Sequence, residues 1–414
     1  MSTITGTNGP ETLLGGNDPD TINGLGGNDV LTGGGGADTL TGGTGVDIFR
    51  DTAAGLNGDR ITDYLIGDRI LFTDLTVGNA NIHISGTSLL YTGGSVQLDG
   101  LGPGRLVIRP VSEGVEVRLQ GDAHNDINGD GLSDILWRND NGQFNIWQST
   151  GNGNFTTSFS NLVPTDTRVV GTGDFNGDGR EDILFRNNNG KVDVWQSQAA
   201  GGFVTSFSST IAGNDWKIAG VADFNGDGFS DIIWRNDNGQ TNIWQATSNG
   251  SFITTFSSTI ASTSWHVVGT GDFNGDGLSG ILWRNDNGQL NVWEATPGNS
   301  FVTTFASNIA GNDWHVVGTG DFNGDGVGDI GWRNDSGQFN VWTGSGDSNF
   351  VTSYSSVVPN SSHLVGVGDF NGDIIDDLVW RNDAGQVDIW RGTTAGTFTP
   401  GYFTSSIAGN DWHV

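Results

Sequence analysis

The stretch Asp321-Phe322-Asn323-Gly324-Asp325-Gly326-Val327-Gly328-Asp329 carries oxygen-bearing side chains at positions 1, 3, 5 and 9 and glycines at positions 4 and 6. Alternate side chains of such a loop can converge on one hard cation, and the sixth-position glycine permits the sharp turn this requires. The stretch therefore predicts a cation-binding loop.

The sequence contains six copies of this loop pattern at a nearly fixed spacing. The copies begin at Asp126, Asp174, Asp223, Asp272, Asp321 and Asp369. Successive starts are 48, 49, 49, 49 and 48 residues apart. A constant period of this length is typical of a repeat architecture.

Each period contains four short apolar segments around the loop. In the fifth period they are residues 314–318, 330–335, 338–342 and 350–354, with the loop between the first two. The segments alternate with turn residues, as β-strands do. Four strands per period predict one propeller blade per repeat.

The second and third strands of each blade are joined by a short turn, such as Asn141-Gly142. Asn-Gly is typical of a two-residue hairpin loop. The cross-strand pairs that such a loop predicts are Arg138 with Asn145, Trp137 with Ile146, and Leu136 with Trp147. Large apolar residues then occur on both faces of the sheet, as expected between packed blades.

The C-terminal stretch, residues 407–414, repeats residues 309–316 and stops before a seventh loop. A basic-type side chain stands six residues before five of the loops, and His413 continues the series. The five are Arg168, Lys217, His266, His315 and His363. We therefore predict that the C-terminal strand completes blade one and closes a six-bladed ring. A seven-bladed or open array is the alternative.

The N-terminal residues 6–50 follow a different repeat, of nine residues. The cleanest unit is Gly33-Gly34-Gly35-Gly36-Ala37-Asp38-Thr39-Leu40-Thr41, with an acid at position six and an apolar residue at position eight. This pattern is typical of a calcium-binding parallel β-roll. The whole chain is thus predicted to be all-β, with a roll in residues 1–120 and a propeller in residues 121–414.

The nonapeptide array resembles the RTX (hemolysin-type) calcium-binding repeats. The resemblance implies ions held between half-turns on the same side of the roll. It pairs Asp20 with Asp38 and Asp29 with Asp47.

The 49-residue unit resembles the FG-GAP/VCBS repeat of integrin-like propellers and many bacterial surface proteins. Complete loops carry four ligand side chains, the fourth loop has Gly280 in place of its last acid, and the sixth has Ile374 in place of its turn glycine. The fourth loop is therefore expected to bind more weakly. The candidate metal ligands are Asp126/Asn128/Asp130/Asp134, Asp174/Asn176/Asp178/Asp182, Asp223/Asn225/Asp227/Asp231, Asp272/Asn274/Asp276, Asp321/Asn323/Asp325/Asp329 and Asp369/Asn371/Asp373/Asp377.

Oxygen-only ligands in flexible loops favour Ca²⁺ over zinc, copper or magnesium, and several such ions are predicted. The net charge is −30, from 47 acids and 17 Lys plus Arg. Such a charge disfavours nucleic acid and anionic membranes as partners. The sequence has no cysteine and no apolar stretch that predicts membrane insertion.

Tryptophans recur in every blade. Those of the Trp-Arg-Asn run, such as Trp137, are interpreted as packing between blades, with the arginine bonded to the facing Asn145, Asp193 or Asp388. A second group precedes the basic position in only some blades, and this irregularity makes it the better ligand candidate. Its members are Trp216, Trp265, Trp314 and Trp412.

The sequence lacks the motifs of metalloproteases, serine hydrolases and nucleotide-binding enzymes, and we predict that it is not an enzyme. We expect a secreted or cell-surface calcium-binding protein, exported by bacterial type I secretion, whose propeller binds an extracellular glycan or protein. The alternatives are a calcium-dependent polysaccharide lyase or hydrolase and a purely structural surface-layer or matrix protein.

Overall fold

A computed structural model of the protein describes residues 2–43, 47–64, 68–85, 87–99, 105–111, 113–120, 124–151, 153–210, 215–247, 250–259, 262–275, 277–296, 300–308, 312–346, 349–406 and 411–414. The chain forms two compact units, Met1–Gly121 and Asp122–Val414. The fold is all-β, apart from one helical turn in the first unit. Within these ranges no helix has the length and hydropathy of a membrane span.

The part of the first unit that the structure describes forms thirteen strands and the helical turn. In chain order they are β1 (Thr3–Thr5), β2 (Thr12–Leu14), β3 (Thr21–Asn23), β4 (Val30–Thr32), β5 (Thr39–Thr41), β6 (Ile48–Asp51), β7 (Arg60–Ile61), β8 (Arg69–Phe72), α1 (Val77–Ala80), β9 (His83–Ser85), β10 (Ser88–Tyr91), β11 (Gly94–Leu98), β12 (Arg105–Val111) and β13 (Gly114–Gln120).

These strands build the predicted parallel β-roll, since successive strands alternate between two sheets. The orders are β1-β3-β5-β7-β11-β10-β9 and β12-β13-β8-β6-β4-β2. Thr3 lies beside Thr21, so one turn of the roll takes two nonapeptides. The eighth positions point inward, and Ile22, Leu31 and Leu40 are fully buried. Strands β9, β10, β12 and β13 then extend the two sheets in antiparallel fashion.

The described residues of the second unit form twenty-four strands. They are β14 (Ile135–Asn139), β15 (Gln143–Ser149), β16 (Phe155–Leu162), β17 (Thr167–Gly173), β18 (Asp182–Asn187), β19 (Lys191–Ser197), β20 (Phe203–Thr210), β21 (Trp216–Ala222), β22 (Asp231–Asn236), β23 (Gln240–Ala246), β24 (Phe252–Thr259), β25 (Trp265–Gly271), β26 (Gly280–Asn285), β27 (Gln289–Thr296), β28 (Ser300–Asn308), β29 (Trp314–Gly320), β30 (Asp329–Asn334), β31 (Gln338–Gly344), β32 (Phe350–Val357), β33 (Ser362–Gly368), β34 (Asp377–Asn382), β35 (Gln386–Gly392), β36 (Phe398–Ser406) and β37 (Trp412–His413).

The second unit is a six-bladed propeller closed by its C-terminal strand, as the sequence predicts. Blades two to six each consist of four consecutive antiparallel strands, whereas blade one has the order β16-β15-β14-β37. His413 pairs with Arg138, and Trp412 pairs with Asn139. On the side facing blade six, Trp137 of blade one packs in a cluster with Phe370. The ring is therefore closed by backbone pairing and by apolar packing.

The hairpin register differs from the predicted one by a single residue. Trp137 lies opposite Asn145 and Arg138 lies opposite Phe144, so the predicted pairs are wrong. The loop has three residues, because Asn139 accepts hydrogen bonds from the Gly142 N–H through its carbonyl (3.0 Å) and from the Gln143 N–H through its side chain (2.8 Å). With Gly142 at φ 85°, this arrangement matches the three-residue hairpin loop that ends in a left-handed glycine.

Candidate metal centres and the hairpin face

The first aspartate organises each propeller loop through backbone hydrogen bonds. In the fifth loop, Asp321 accepts the N–H of Gly324 at Oδ1 and the N–H of Gly326 at Oδ2, both at 2.8 Å. The contacts recur in all six loops, at 2.5–2.8 Å for position four and 2.7–2.9 Å for position six. The loops therefore share one backbone conformation around their first carboxylate. The other first carboxylates are Asp126, Asp174, Asp223, Asp272 and Asp369.

The ninth-position aspartate ties the loop to the blade. Asp329 is fully buried at the start of β30. Its Oδ2 accepts the Phe322 N–H at 2.9 Å, and its Oδ1 accepts the Gly344 N–H from β31 at 2.8 Å. The same two contacts occur at Asp134, Asp182, Asp231 and Asp377. Blade four has Gly280 at this position.

Burial makes these carboxylates costly to ionise without a cation. It raises the pKa of Asp231 to about 9, helped by the charges of Asp223 and Asp227. Burial likewise raises the pKa of Asp329 to about 8. A divalent ion would offset the desolvation and repulsion, so the electrostatics of the loops fit a bound cation.

These pKa shifts predict that the free energy of unfolding depends on pH in opposite directions in the calcium-free and the calcium-saturated protein. The unfolded carboxyl groups ionise near pH 4, whereas several folded ones keep their proton up to about pH 8 or 9. The folded state binds more protons in this window, so the free energy of unfolding should fall as the pH rises from about 4 to about 9. With saturating calcium it should instead rise through the acidic part of this window, because protons compete with the ion. Melting temperatures measured across this pH window, with and without chelator, distinguish the calcium-free from the calcium-saturated pH dependence. The same pH dependence in both conditions would contradict the prediction.

In five loops the position-three asparagine donates a hydrogen bond to a neighbouring acid of the same loop. Among the described residues, no three His, Asp or Glu side chains stand together as metal ligands. In three loops the position-three amide donates to the position-five carboxylate. These contacts are Asn128 Nδ2 to Asp130 Oδ2 at 2.9 Å, Asn225 Nδ2 to Asp227 Oδ2 at 3.0 Å, and Asn323 Nδ2 to Asp325 Oδ2 at 2.9 Å. In these three loops the amide nitrogen therefore faces the position-five acid.

Two of the other loops show a different contact. Asn176 and Asn371 turn to the ninth acid rather than the fifth. Asn176 Nδ2 donates to Asp182 Oδ2 at 3.4 Å, and Asn371 Nδ2 donates to Asp377 Oδ2 at 3.1 Å. In the fourth loop Asn274 is half-buried, and the position-five acid, Asp276, lies outside the described residues. The position-three amides thus take two orientations among the five loops in which their hydrogen bonds are described.

The position-five acids bond to the backbone of their own loop. In each case Oδ1 accepts the N–H two residues later, at 2.9–3.1 Å; the acids are Asp130, Asp178, Asp227, Asp325 and Asp373. Asp178 also forms an ion pair with Arg180 at 2.7 Å. In this structure these acids shape the turn. Ligation of a metal by them and by the position-three asparagines stays a prediction.

The chemistry of the donor set nevertheless fits Ca²⁺. Every propeller loop offers carboxylate and amide oxygens, which are the hard ligands that this ion prefers. In the second loop, Asn176 Oδ1 is buried and accepts no hydrogen bond. A buried oxygen without a donor is unfavourable unless a cation or water compensates it, so this atom favours a bound ion.

The β-roll arranges its acids in two columns, one along each edge. The N–H of Asp20 donates to Asp38 Oδ1 at 2.7 Å, and the N–H of Asp29 donates to Asp47 Oδ1 at 2.8 Å. The second oxygen of Asp29, Asp38 and Asp47 is buried and accepts no hydrogen bond. Buried anionic oxygens without donors are unfavourable unless a cation compensates them.

The glycines of the roll leave room for such a cation. A Cβ at Gly24 would lie 2.4 Å from Asp29 Oδ2 and 2.4 Å from the carbonyl oxygen of Gly42. A side chain there would fill the space on which these two oxygens converge. The residues of the roll therefore fit Ca²⁺, which binds carboxylate and carbonyl oxygens.

The two columns continue beyond the nonapeptides into Asp59 and Asp68, which were not among the candidate ligands predicted from the sequence. The N–H of Asp38 donates to Asp59 Oδ1 at 2.8 Å, and the N–H of Asp47 donates to Asp68 Oδ1 at 2.9 Å. The spacing along the column lengthens from 18 to 21 residues, which hides the continuity. A signal was present, because Asp59 lies two residues before the buried Ile61, as the acids of the nonapeptides do before their apolar residues.

Ile374 supports a prediction on the sixth propeller loop. It adopts φ 63° where other loops have glycine, a conformation unfavourable for a β-branched residue. The substitution Ile374→Gly should raise the free energy of unfolding by about 1 kcal/mol in calcium-saturated protein. Denaturant titration measures this. Gly326→Ala is the matched control: no atom lies within 4 Å of the added Cβ, so only the φ of 80° should lower stability. A loss of stability on Ile374→Gly would contradict the assignment of strain.

The tryptophans of the Trp-Arg-Asn run pack between blades. Trp137, Trp234 and Trp283 are each 1% exposed. The Arg186 guanidinium of blade two lies 5.4 Å from the Trp234 ring centroid of blade three, and Arg235 lies 5.3 Å from Trp283. This cation–π stacking replaces the predicted pairing of arginine with the facing Asn145, Asp193 or Asp388, because the one-residue register change puts the aromatic residue opposite them.

The end of the propeller opposite the six Asp-rich loops is formed by the loops between second and third strands, residues 140–142 and their equivalents. We call it the hairpin face. At this face the basic-type side chains form exposed pairs with an aspartate that the sequence analysis did not connect to them. The pairs are Lys217–Asp237, His266–Asp286, His315–Asp335, His363–Asp383 and His413–Asp140, at 2.9–3.0 Å.

The candidate ligand tryptophans adjoin these pairs in sequence and are half-buried. Trp314 packs in the interface between blades four and five, beside Leu282 and Trp332. At the hairpin face of blade four a cleft of about 240 Å³ is lined by His266, Val268, Arg284, Asn285, Asp286 and, from the connection to blade five, Asn312. The other tryptophans occupy equivalent positions, namely Trp216, Trp265 and Trp412.

Two families match the chain. The RTX calcium-binding nonapeptide repeat matches residues 5–40 and 14–49, and the FG-GAP-like repeat matches residues 126–185, 174–234 and 223–283. No curated protein matches the sequence. A solved structure, titled as the crystal structure of BBS1N in complex with ARL6DN soaked with mercury, shares 11% identity over 70% of this chain and 81% of that chain, with a TM-score of 0.38. A similarity this loose supports no functional argument.

Proposed function

We propose that this chain, which carries RTX calcium-binding repeats followed by a six-bladed FG-GAP-type propeller, is a secreted or cell-surface protein that binds an extracellular ligand through its propeller. RTX nonapeptides bind calcium and are typical of secreted proteins. The observation that carries the recognition role is the hairpin face, where polar pairs recur beside half-buried tryptophans.

Calcium has a structural role in this proposal. The propeller loops lie at the end of the blades opposite the hairpin face, since the strands of each blade are antiparallel. Their first and ninth acids hold backbone N–H groups of the loop and of the third strand. An ion there fixes the blade and leaves the hairpin face available.

A glycan is the ligand that this chemistry favours. Tryptophan offers an apolar ring that can stack on a sugar, and the adjoining His266, Asp286 and Asn312 offer hydrogen-bond donors and acceptors. The net charge of −30 favours a neutral or cationic ligand over a polyanion. Repetition of the arrangement around the ring would allow multivalent binding, as adhesion requires.

Binding to a glycan array with calcium and with EDTA tests this function. His266→Ala should weaken binding, because its interface contains Trp314. The matched control is His315→Ala. His315 belongs to blade five, and the next blade has Ser362 instead of a tryptophan, so this interface lacks the aromatic ring. Both histidines are more than half exposed, so neither change should alter the melting temperature appreciably.

Equal binding by all three proteins, or none to any glycan, would contradict a glycan site between blades four and five. Release of oligosaccharides from a polysaccharide would contradict the non-enzymatic role and favour a lyase or hydrolase. Repeat families and propellers are typical of non-catalytic proteins. Immunolabelling of intact cells and of the culture medium tests the location.

A further inference from the structure

Blade four departs from the other blades at two positions. Gly280 replaces the ninth-position aspartate of its loop, and Glu294 stands on the third strand where no other blade has an acid. The residues equivalent to Glu294 in blades one, two, three, five and six are Gln148, Gln196, Gln245, Thr343 and Arg391.

The register of the blade brings the two departures together. Ile281 pairs with Trp293, so Gly280 and Glu294 are the next opposite residues in the antiparallel pair β26–β27. A Cβ on residue 280 would lie 2.5 Å from Glu294 Oε2. The carboxylate oxygens of an aspartate lie about 2.4 Å from its own Cβ by standard covalent geometry. The Glu294 carboxylate thus reaches the space that an aspartate at position 280 would use.

The environment of Glu294 is that of a buried ligand. Its side chain is only 1% exposed. The loop beside it keeps the shared conformation, because Asp272 accepts the N–H groups of Gly275 and Gly277, both at 2.7 Å. Acids therefore approach this loop from its own first position and from the third strand.

We propose that Glu294 supplies, from the neighbouring strand, the carboxylate that blade four lost at Gly280, so that this loop binds Ca²⁺ with Glu294 as a ligand. The inference rests on the calcium-binding role of the propeller loops and revises the expectation of a weak fourth site. It also explains why glycine is required at 280, since a side chain there would collide with Glu294.

The test counts bound calcium per chain by equilibrium dialysis and follows the calcium-induced rise in melting temperature. Glu294→Gln should remove one ion or weaken its binding at least tenfold, and should reduce the calcium-induced rise. Glutamine occupies this position in blades one to three, so the variant should fold. Gly280→Asp alone should destabilise the protein, whereas Gly280→Asp combined with Glu294→Gln should restore both the ion and the melting temperature.

Asp231→Asn in blade three separates this inference from the one on which it rests. Loss of an ion with Asp231→Asn but not with Glu294→Gln would overturn the role of Glu294 alone. No loss with either variant would overturn calcium binding by the propeller loops as well. If the double variant neither binds the ion nor melts at a higher temperature than Gly280→Asp alone, then Glu294 and an aspartate at position 280 do not substitute for each other, and the proposal is contradicted.

Discussion

Removal of calcium should unfold the nonapeptide array of residues 5–49 and lower the melting temperature of the propeller by roughly 10–20 °C. In the roll, Asp29 and Asp47 of one column would repel each other without an ion, and so would Asp20 and Asp38 of the other column. In the propeller, each loop should add roughly 1.4 kcal/mol at about 1 mM calcium and a Kd of about 0.1 mM. Four such loops would together stabilise the propeller by roughly 6 kcal/mol. For a large domain, each kcal/mol of stability changes the melting temperature by about 2–4 °C.

Calorimetry and far-UV circular dichroism with and without EDTA measure both effects. Limited proteolysis should then cut the nonapeptide array before the propeller. Magnesium is the control ion, since it prefers a rigid octahedral site and should restore little of the loss. Identical melting curves in calcium and in EDTA would contradict a structural role of calcium in either unit.

Removal of residues 411–414 should destabilise the propeller by about 2–4 kcal/mol and open the ring at blade one. The deletion exposes the edge of β14, which pairs with Trp412 and His413. It also removes the half-buried Trp412 ring from the cluster containing Ile135 and Trp137. Hydrogen exchange of the β14 amides should increase more than exchange in any other second strand.

Trp216→Ala is the matched control, because it removes the equivalent ring from blade three while β21 stays continuous with its blade. The truncation should cost more than this substitution, and the difference measures the backbone contribution of ring closure. A truncated protein as stable as the full chain would show that the first three strands of blade one suffice.

The sequence predicted the architecture because each architecture has its own period. Nine-residue spacing of acids and apolar residues indicated the roll, and the 49-residue unit indicated blades. The series of basic residues ending at His413 indicated which strand closes the ring, and β37 lies there. Such repeats are visible in the sequence, because every copy must satisfy the same packing requirement and so keeps similar residues at the same positions.

The hairpin register could not be read from the Asn-Gly pair alone. The loop length is set by the side chain of Asn139, which accepts the Gln143 N–H and adds one residue to the turn. A shift of one residue changes every partner across the strands. The tryptophans therefore face Asn145 and its equivalents, and the arginines stack on the next blade instead.

The side-chain directions within the propeller loops could not be read from spacing either. Alternation places Asn128 and Asp130 on the same side of their loop, but the amide of Asn128 bonds to the acid instead of facing Asp126. In the sixth loop the equivalent Asn371 bonds to Asp377. A short polar side chain has several hydrogen-bond partners within reach, and residue spacing does not indicate which of them it bonds to.

The loop at Asp321 shows how far the sequence alone determined this protein. Its residue types and spacing predicted an oxygen-lined turn, and the contacts of Asp321 and Asp329 with the backbone of their own loop follow from that local pattern. Only the tertiary structure connects residues that are distant in sequence: Asp38 with Asp59, His413 with Asp140, and Glu294 with Gly280. The physical reason is that strand pairing fixes these neighbours, and pairing depends on loop lengths that composition and period do not specify.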